Sequence, residues 1–98
     1  MEIELEGRLF EWDDEKERIN IRKHGVNFFD ATYVFQDENR IEEFDKYHSD
    51  DEERWKIIGM VKGILVVICT EREKSTRIIS ARPAEKYERR RYYGDRED

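Results

Sequence analysis

The strongest constraint on the fold is the stretch 64–84, which predicts two adjacent β-strands joined by a short polar turn. Residues 64–70 are almost wholly apolar, as expected of a central strand buried on both faces, and residues 76–82 form the second strand. Strand pairing brings residues that are distant in sequence within a few ångströms of each other. The arginines and the Glu71 carboxylate at the strand ends could therefore act together on a phosphodiester, although ordinary edge-strand charges would give the same pattern.

Two helices are predicted in the first third of the chain. Residues 14–24 are typical of a helix whose N-cap is Asp13 or Asp14, because acidic residues fill its first turn and basic residues its last. A second helix follows over residues 28–35, with Asn27 as its N-cap and apolar residues at helical spacing.

The remaining elements complete a single α+β domain over residues 1–98 with an antiparallel sheet. Residues 40–44 are a possible short strand and residues 55–61 a clear one. Pro83 fits the first position of a C-terminal helix, where a missing N–H costs nothing. Residues 1–9 alternate only weakly and are expected to be a flexible leader.

A chain of 98 residues forms one small core, and no apolar run approaches the roughly 20 residues of a membrane-spanning helix. The start lacks the pattern of a secretory signal, so a cytoplasmic location is expected. One cysteine, Cys69, cannot form an internal disulfide, and one Cys with two His supplies too few ligands for a metal, so no cofactor is expected. The predicted core comprises Ile19, Phe28, Val34, Phe35, Ile57, Leu65, Val67 and Ile79.

Charge is distributed unevenly along the chain, whose net charge is −6. Residues 37–53 contain nine acidic and two basic residues, whereas residues 72–91 contain eight basic and three acidic ones. This asymmetry predicts two separate surfaces, one acidic and one basic enough to meet phosphate, although most such runs are simply solvated faces.

The candidate catalytic residues are three arginines, one glutamate and one histidine: Arg72, Arg77, Arg82, Glu71 and His48. Arginines suit the negative charge that develops on phosphoryl oxygens when a 2′-hydroxyl attacks phosphorus. Glu71 could act as a general base or orient an arginine, and His48 could act as acid or base. If the arginines are exposed, alanine at each should change the free energy of unfolding by less than about 1 kcal/mol.

The candidate RNA-binding residues are Arg54, Trp55 and Tyr92. The aromatic rings could stack on unpaired bases, or they could simply pack in the core and against the last helix. His24 ends the first helix, where a structural role is favoured. Arg77 and Arg82 are an odd number of positions apart and would face opposite sides of a regular strand, so a shared site requires a bulge or the strand end between them.

Several short motifs resemble, in order, those of the BrnT family of type II toxins. The opening FEWDDEKERINIRKHGVNFFDATYVFQD carries most of the match, and the later matches include the segments 65–72, 77–84 and 88–92. The matching positions before these segments are Phe10, Trp12, Asp13, Lys16, Asn20, Lys23, His24, Gly25, Val26, Phe28, Ala31, Val34, Phe35, Asp37, Asp45, His48, Glu53, Arg54 and Gly59. The resemblance covers roughly residues 10–93, with departures in the leader and in the acidic spacing before Trp55.

The resemblance implies a RelE-like fold with two N-terminal helices and one C-terminal helix. It also implies a metal-independent endoribonuclease that arrests translation until a BrnA-like ribbon-helix-helix antitoxin neutralises it. The partners would then be RNA, the antitoxin and, through the antitoxin, operator DNA. Two other readings stay open: a non-catalytic antitoxin-binding module or co-repressor, and a degenerate toxin whose basic face only binds nucleic acid.

Overall fold

The computed structural model describes residues 1–94, which contain six strands and three helices. The strands are β1 (Glu2–Leu5), β2 (Arg8–Glu11), β3 (Ile41–Phe44), β4 (Trp55–Met60), β5 (Ile64–Glu71) and β6 (Thr76–Pro83). The helices are α1 (Asp14–His24), α2 (Phe28–Thr32) and α3 (Lys86–Tyr93), with 3₁₀ turns at Tyr33–Gln36 and Lys46–His48. None of these helices is long and apolar enough to cross a membrane.

One sheet contains all the strands of residues 1–94, in the order β1-β2-β6-β5-β4-β3. Neighbouring strands are antiparallel except for β2 and β6, which run parallel. The predicted α+β class is therefore confirmed, whereas the prediction of a purely antiparallel sheet is wrong. The helices also follow two strands rather than opening the chain.

The N-terminal segment is a β-hairpin and not the flexible leader predicted for residues 1–9. Glu6 and Gly7 both have positive φ, 52° and 81°, which gives the two-residue turn that suits the twist of paired strands. β1 pairs with β2, and the Met1 amino group donates to the Trp12 carbonyl at 3.0 Å. Ile3 and Leu5 of β1 pack against the core, which explains the weak alternation in the sequence.

The first two helices begin where their capping residues predict. The Asp13 side chain accepts from the backbone N–H groups of Glu15 and Lys16 at 2.8 and 3.0 Å, and Gly25 ends α1 in the left-handed region at φ 74°. The Asn27 side chain caps α2. α2 is shorter than predicted because the chain tightens into a 3₁₀ turn after Thr32.

Pro83 is the last residue of β6 and not the first residue of a helix, so that prediction is wrong. It pairs with Leu65, and the ladder continues into a bond from the Ala84 N–H to the Ile64 carbonyl at 2.8 Å. α3 begins only at Lys86, after a capping box formed by Glu85 and Glu88.

The core lies on both faces of the sheet. The larger cluster, which includes Phe10, Phe28, Val67 and Ile78, packs between the sheet and the first two helices. Most of the predicted core is confirmed, but Ile19 is 48% exposed, and Leu65 and Ile79 are only half-buried. On α1 the buried residue is instead the polar Asn20.

β6 contains a bulge that decides where its side chains point. Ile68 pairs with Ser80 and Cys69 with Ile78, so Ile79 is an extra residue in β6. The buried residues Ile78 and Ala81 consequently share the face that packs on α1 and α2. Arg77 and Arg82 share the opposite face, which carries α3.

Candidate functional site

A groove of about 710 Å³ lies on the α3 face of the sheet, and we call it the basic groove. Its cationic lining comes from α1, the segment after β3, the start of β4, and β6. Tyr47 and Tyr87 stand at its rim with 78% and 55% of their surface exposed. The cations and histidines that line the basic groove are Lys23, His24, Lys46, His48, Arg54, Lys56 and Arg82.

Asn20 fixes the end of α1 against β6 and so holds Lys23 and His24 at the groove. Its amide group donates to the Ala81 carbonyl at 2.8 Å and accepts from the Ala81 N–H at 3.1 Å. These are the bonds that a neighbouring strand would make, and they occur where β2 has already ended. The same amide donates to the Val26 carbonyl at 2.9 Å, so one buried side chain sets both the helix position and the turn after it.

Glu88 is fully buried beneath the basic groove and binds two of its cations. Both Arg82 terminal nitrogens donate to the Glu88 carboxylate at 2.8 Å, and the Lys56 ammonium lies 2.8 Å from the same carboxylate. The Glu85 N–H and the Tyr87 hydroxyl also donate to it. Burial alone would raise the pKa of Glu88, but the bonds from Arg82, Glu85 and Lys56 together hold that pKa far below its ordinary value.

The acidic and basic segments meet at this site, so the prediction of two separate surfaces is wrong. Arg91 of α3 forms a bidentate ion pair with Glu43 of β3, at 2.9 and 2.8 Å. The hydrogen bond from Arg91, opposed by partial burial, lowers the pKa of Glu43. Glu43 of β3 thus neutralises Arg91 of α3, and with Asp45 it brings acidic charge into the lining of the groove.

His48 is oriented by a neighbouring carboxylate. Its Nδ1 lies 2.9 and 3.1 Å from the two Asp45 oxygens, and the imidazole is mostly exposed at the groove. Ser49 donates to the Asp45 carbonyl at 2.6 Å and accepts from the Arg54 N–H at 2.9 Å, which ties the turn to β4. Because the carboxylate occupies Nδ1, Nε2 is the ring nitrogen available to a substrate.

Arg54, like Lys23 and Lys46 of the same groove, forms no ion pair with another residue of 1–94, but it alone among them has a buried donor without a partner. Its Nε is buried and makes no hydrogen bond within the described chain. The terminal N–H groups of Arg54 also make no hydrogen bond within residues 1–94, and it is these donors that an anionic ligand at the groove would meet. The residues described hold no cluster of three or more His, Cys, Asp or Glu side chains that could ligate a metal ion.

Comparison with known proteins identifies the family. The model of the "Ribonuclease toxin, BrnT, of type II toxin-antitoxin system" family matches residues 12–88. The chain belongs to the BrnT family. It is similar to the 1.1 Å crystal structure of the Brucella abortus ribonuclease toxin BrnT, with 26% identity and a TM-score of 0.57, over 76% of this chain and 94% of that one. No curated protein sequence matches significantly.

Within this BrnT chain, three of the eight residues predicted for the site line the basic groove, namely Arg54, His48 and Arg82. Arg77 lies on the same face but is paired with Glu11 at 3.5 Å. It is about four strand positions from Arg82, which is roughly 13 Å at 3.3 Å per residue.

Arg72 and Glu71 lie still farther from the groove, at the β5–β6 turn. Glu71 accepts from Arg8 at 2.8 Å and from Thr76 at 2.9 Å, and Arg72 pairs with Glu52 at 3.5 Å. They line a separate cleft of about 240 Å³. The three predicted arginines therefore do not line one pocket, and a catalytic role for Arg72 stays a prediction.

The two aromatic candidates are engaged in packing. Trp55 is half-buried against the core and meets Phe44 edge to face, with ring centroids 5.6 Å apart. The Tyr92 hydroxyl donates to the Asp37 carboxylate, and its ring packs against Tyr93. Their alternative reading as packing residues is the one that this geometry favours.

The sequence alone does not predict several residues of the groove. Lys56 lay within a predicted strand, Tyr87 within a predicted helix, and Glu88 among arginines that concealed its burial. The sequence favours a structural role for His24 at the end of a helix, and His24 does end α1, but it also lines the groove. The one available signal was the pair of positions 54 and 56, which alternation puts on one face at the start of β4.

Proposed function

We propose that this chain is a metal-independent endoribonuclease that cleaves RNA in the basic groove. The observation that carries the proposal is the meeting of Arg82, Lys56 and Arg54 with an oriented histidine, His48, in one groove on the α3 face. Membership of a ribonuclease toxin family supports the same conclusion. The helices packed on a compact sheet agree with a RelE-like architecture.

The proposed reaction is attack of a ribose 2′-hydroxyl on the adjacent phosphorus, in which the new O2′–P bond replaces the P–O5′ bond. The departing 5′-oxygen takes a proton from water, and a 2′,3′-cyclic phosphate remains. Nδ1 of His48 donates to Asp45, so Nε2 can accept the 2′-hydroxyl proton as the general base. Arg82 and Lys56 stabilise the negative charge that builds on the phosphoryl oxygens, and Arg54 binds the RNA backbone through its unmet donors. Tyr47 and Tyr87 offer exposed rings for stacking of unpaired bases.

The other predicted residues take lesser parts in this proposal. Arg77 lies on the same face and contacts the RNA backbone beyond the cleaved bond. Glu71 and Arg72 stabilise the β5–β6 turn together with Arg8 and do not act in the chemistry. Trp55 and Tyr92 hold the groove walls by packing.

The biological setting follows from the family description as a type II toxin. We propose that the free protein arrests translation in the cytoplasm and that a BrnA-like ribbon-helix-helix antitoxin neutralises it. Operator DNA would then be contacted by the antitoxin and not by this chain. The exposed cations of the groove support a toxin whose substrate is a polyanion.

The direct test is incubation of the purified protein with RNA in the presence of EDTA. We expect cleavage to persist in EDTA and to leave 2′,3′-cyclic phosphate ends. Arg82→Ala and His48→Ala should each reduce it by roughly 10²-fold or more. Arg18→Ala is the control, because Arg18 pairs with Glu15 on α1, lines no part of the groove and should leave cleavage unchanged.

Two results would contradict the proposal. Cleavage that requires an added divalent cation would overturn metal independence. A protein that binds antitoxin but cleaves no RNA under any condition would support the non-catalytic module instead.

A further inference from the structure

Two cations of the basic groove are bound to a single buried carboxylate oxygen. Arg82 Nη2 and Lys56 Nζ each lie 2.8 Å from Glu88 Oε2, so the two nitrogens are no farther apart than twice that distance. Without the carboxylate, two positive charges this close and largely shielded from water would repel each other. Their proximity in the folded chain therefore depends on Glu88.

The donors of these cations are only partly used. Glu88 and the Pro83 carbonyl take three N–H groups of Arg82, which leaves its Nε–H and one terminal N–H unmet within residues 1–94. Lys56 has three ammonium hydrogens, and Glu88 takes one at 2.8 Å. Both side chains are partly exposed at the groove, whereas Glu88 is fully buried beneath it.

We propose that Glu88 is a positioning residue that sets Arg82 and Lys56 side by side so that both donate to one phosphate of the RNA. This inference rests on the proposed ribonuclease function and deepens it. Glu88 does not touch the substrate; it acts by fixing where the two cations stand. The spacing suits a single phosphate, because two donors a few ångströms apart can reach two oxygens on the same phosphorus.

The proposal predicts a kinetic effect of Glu88→Gln that distinguishes a positioning role of Glu88 from an effect of its charge on RNA binding and from a loss of stability. Glu88→Gln removes a negative charge from a site that binds a polyanion, so ground-state RNA binding should be unchanged or tighter. The cations would no longer be fixed for the transition state, so kcat should fall at least tenfold. A purely structural role would instead reduce kcat and weaken binding only in proportion to the unfolded fraction.

The matched control is Glu85→Ala, because Glu85 and Glu88 form the same capping box. Glu85→Ala weakens the cap but keeps the Glu88 charge, whereas Glu88→Gln keeps an acceptor for the Glu85 N–H but loses the charge. Each variant is compared with the wild type in kcat, KM and melting temperature, with activity expressed per folded molecule. We expect Glu85→Ala to melt earlier with unchanged kcat, and Glu88→Asp to recover part of the kcat lost in Glu88→Gln.

A folded Glu88→Gln protein with wild-type kcat would overturn the inference while leaving the ribonuclease function intact. If Glu88→Gln does not fold, Lys56→Met carries the test, since it preserves the Arg82–Glu88 pair. A tenfold or greater loss of kcat in Lys56→Met would support the paired cations, and full activity would refute them. If Arg82→Ala retains full activity, the proposed function itself fails at this site.

Discussion

Arg82→Ala should destabilise this protein far more than an exposed arginine substitution would. The guanidinium group makes two charge-assisted bonds, each 2.8 Å, to a carboxylate that is completely buried. Its removal leaves Glu88 with the Lys56 ammonium as its one charged partner among residues 1–94. The estimate of less than about 1 kcal/mol, based on exposure alone, therefore does not hold for Arg82.

The magnitude follows from the loss of one partner of a buried pair. Such a loss costs about 3–5 kcal/mol when the remaining charge is uncompensated. Lys56 still compensates Glu88 from 2.8 Å, so we expect about 2–3 kcal/mol. For a chain of this length, about 4–8 °C per kcal/mol gives a fall in melting temperature of roughly 10–20 °C.

The control is Arg91→Ala, which removes a bidentate pair of the same geometry at the surface. Arg91 bonds to Glu43 at 2.9 and 2.8 Å, but both side chains are at least one-third exposed. Exposed pairs contribute about 0–1 kcal/mol. Urea unfolding at neutral pH should therefore separate the two variants clearly, and equal losses below about 1 kcal/mol would refute the reasoning that burial makes the difference.

Three further predictions concern buried groups. The pKa of Glu88 is lower in the folded state, so the ionised Glu88 stabilises the fold above its ordinary carboxyl pKa of 4.5, and this stabilisation is lost as the pH falls below that value. Urea titrations should therefore show that acid lowers the free energy of unfolding more in the wild type than in Glu88→Gln. Burial raises the pKa of the Cys69 thiol to about 12, so iodoacetamide should label it only in denaturant; rapid labelling of the native protein would contradict this. Val67→Asp would bury a charge at a fully enclosed position of β5 and should abolish cooperative melting in calorimetry.

Local signals in the sequence predicted most of the secondary structure. The side chains of Asp13 and Asn27 cap the helices by bonding to backbone groups two or three residues away. Because these contacts are local in sequence, the sequence alone predicts where the helices begin. The β5 strand is equally clear from the sequence, since seven consecutive residues from Ile64 carry apolar or small side chains before the strand ends at Glu71. The sequence does not predict the N-terminal hairpin, because its strands have only four residues each and its turn, Glu6–Gly7, lacks the usual asparagine or aspartate.

The site was harder to predict because its key contacts join distant segments. Glu88 appears in the sequence as one acid among arginines, and only the packing of α3 on the sheet brings Lys56 of β4 to it. The chemistry of Arg54 and His48 makes them candidates, and both line the groove. The chemistry of Arg72 is the same as that of Arg82, but the length of the strands separates the two residues at about 3.3 Å per position, and residue type alone does not reveal that distance.

The bulge in β6 explains how one strand supplies both core and groove. Counting by twos from Arg77 puts Ala81 on the groove side and Arg82 in the core, where a guanidinium group would be buried without a partner. The alternation of polar and apolar residues is interrupted by the adjacent Ile78 and Ile79, and Ile79 is the extra residue of the bulge. From Ser80 onward the parity is shifted, so Ala81 is buried on the α1 side, where Asn20 bonds to its backbone. Arg82 then emerges on the α3 side above Glu88, which means that the position of the bulge, and not the choice of arginine alone, determines that this strand can contribute a cation to the groove.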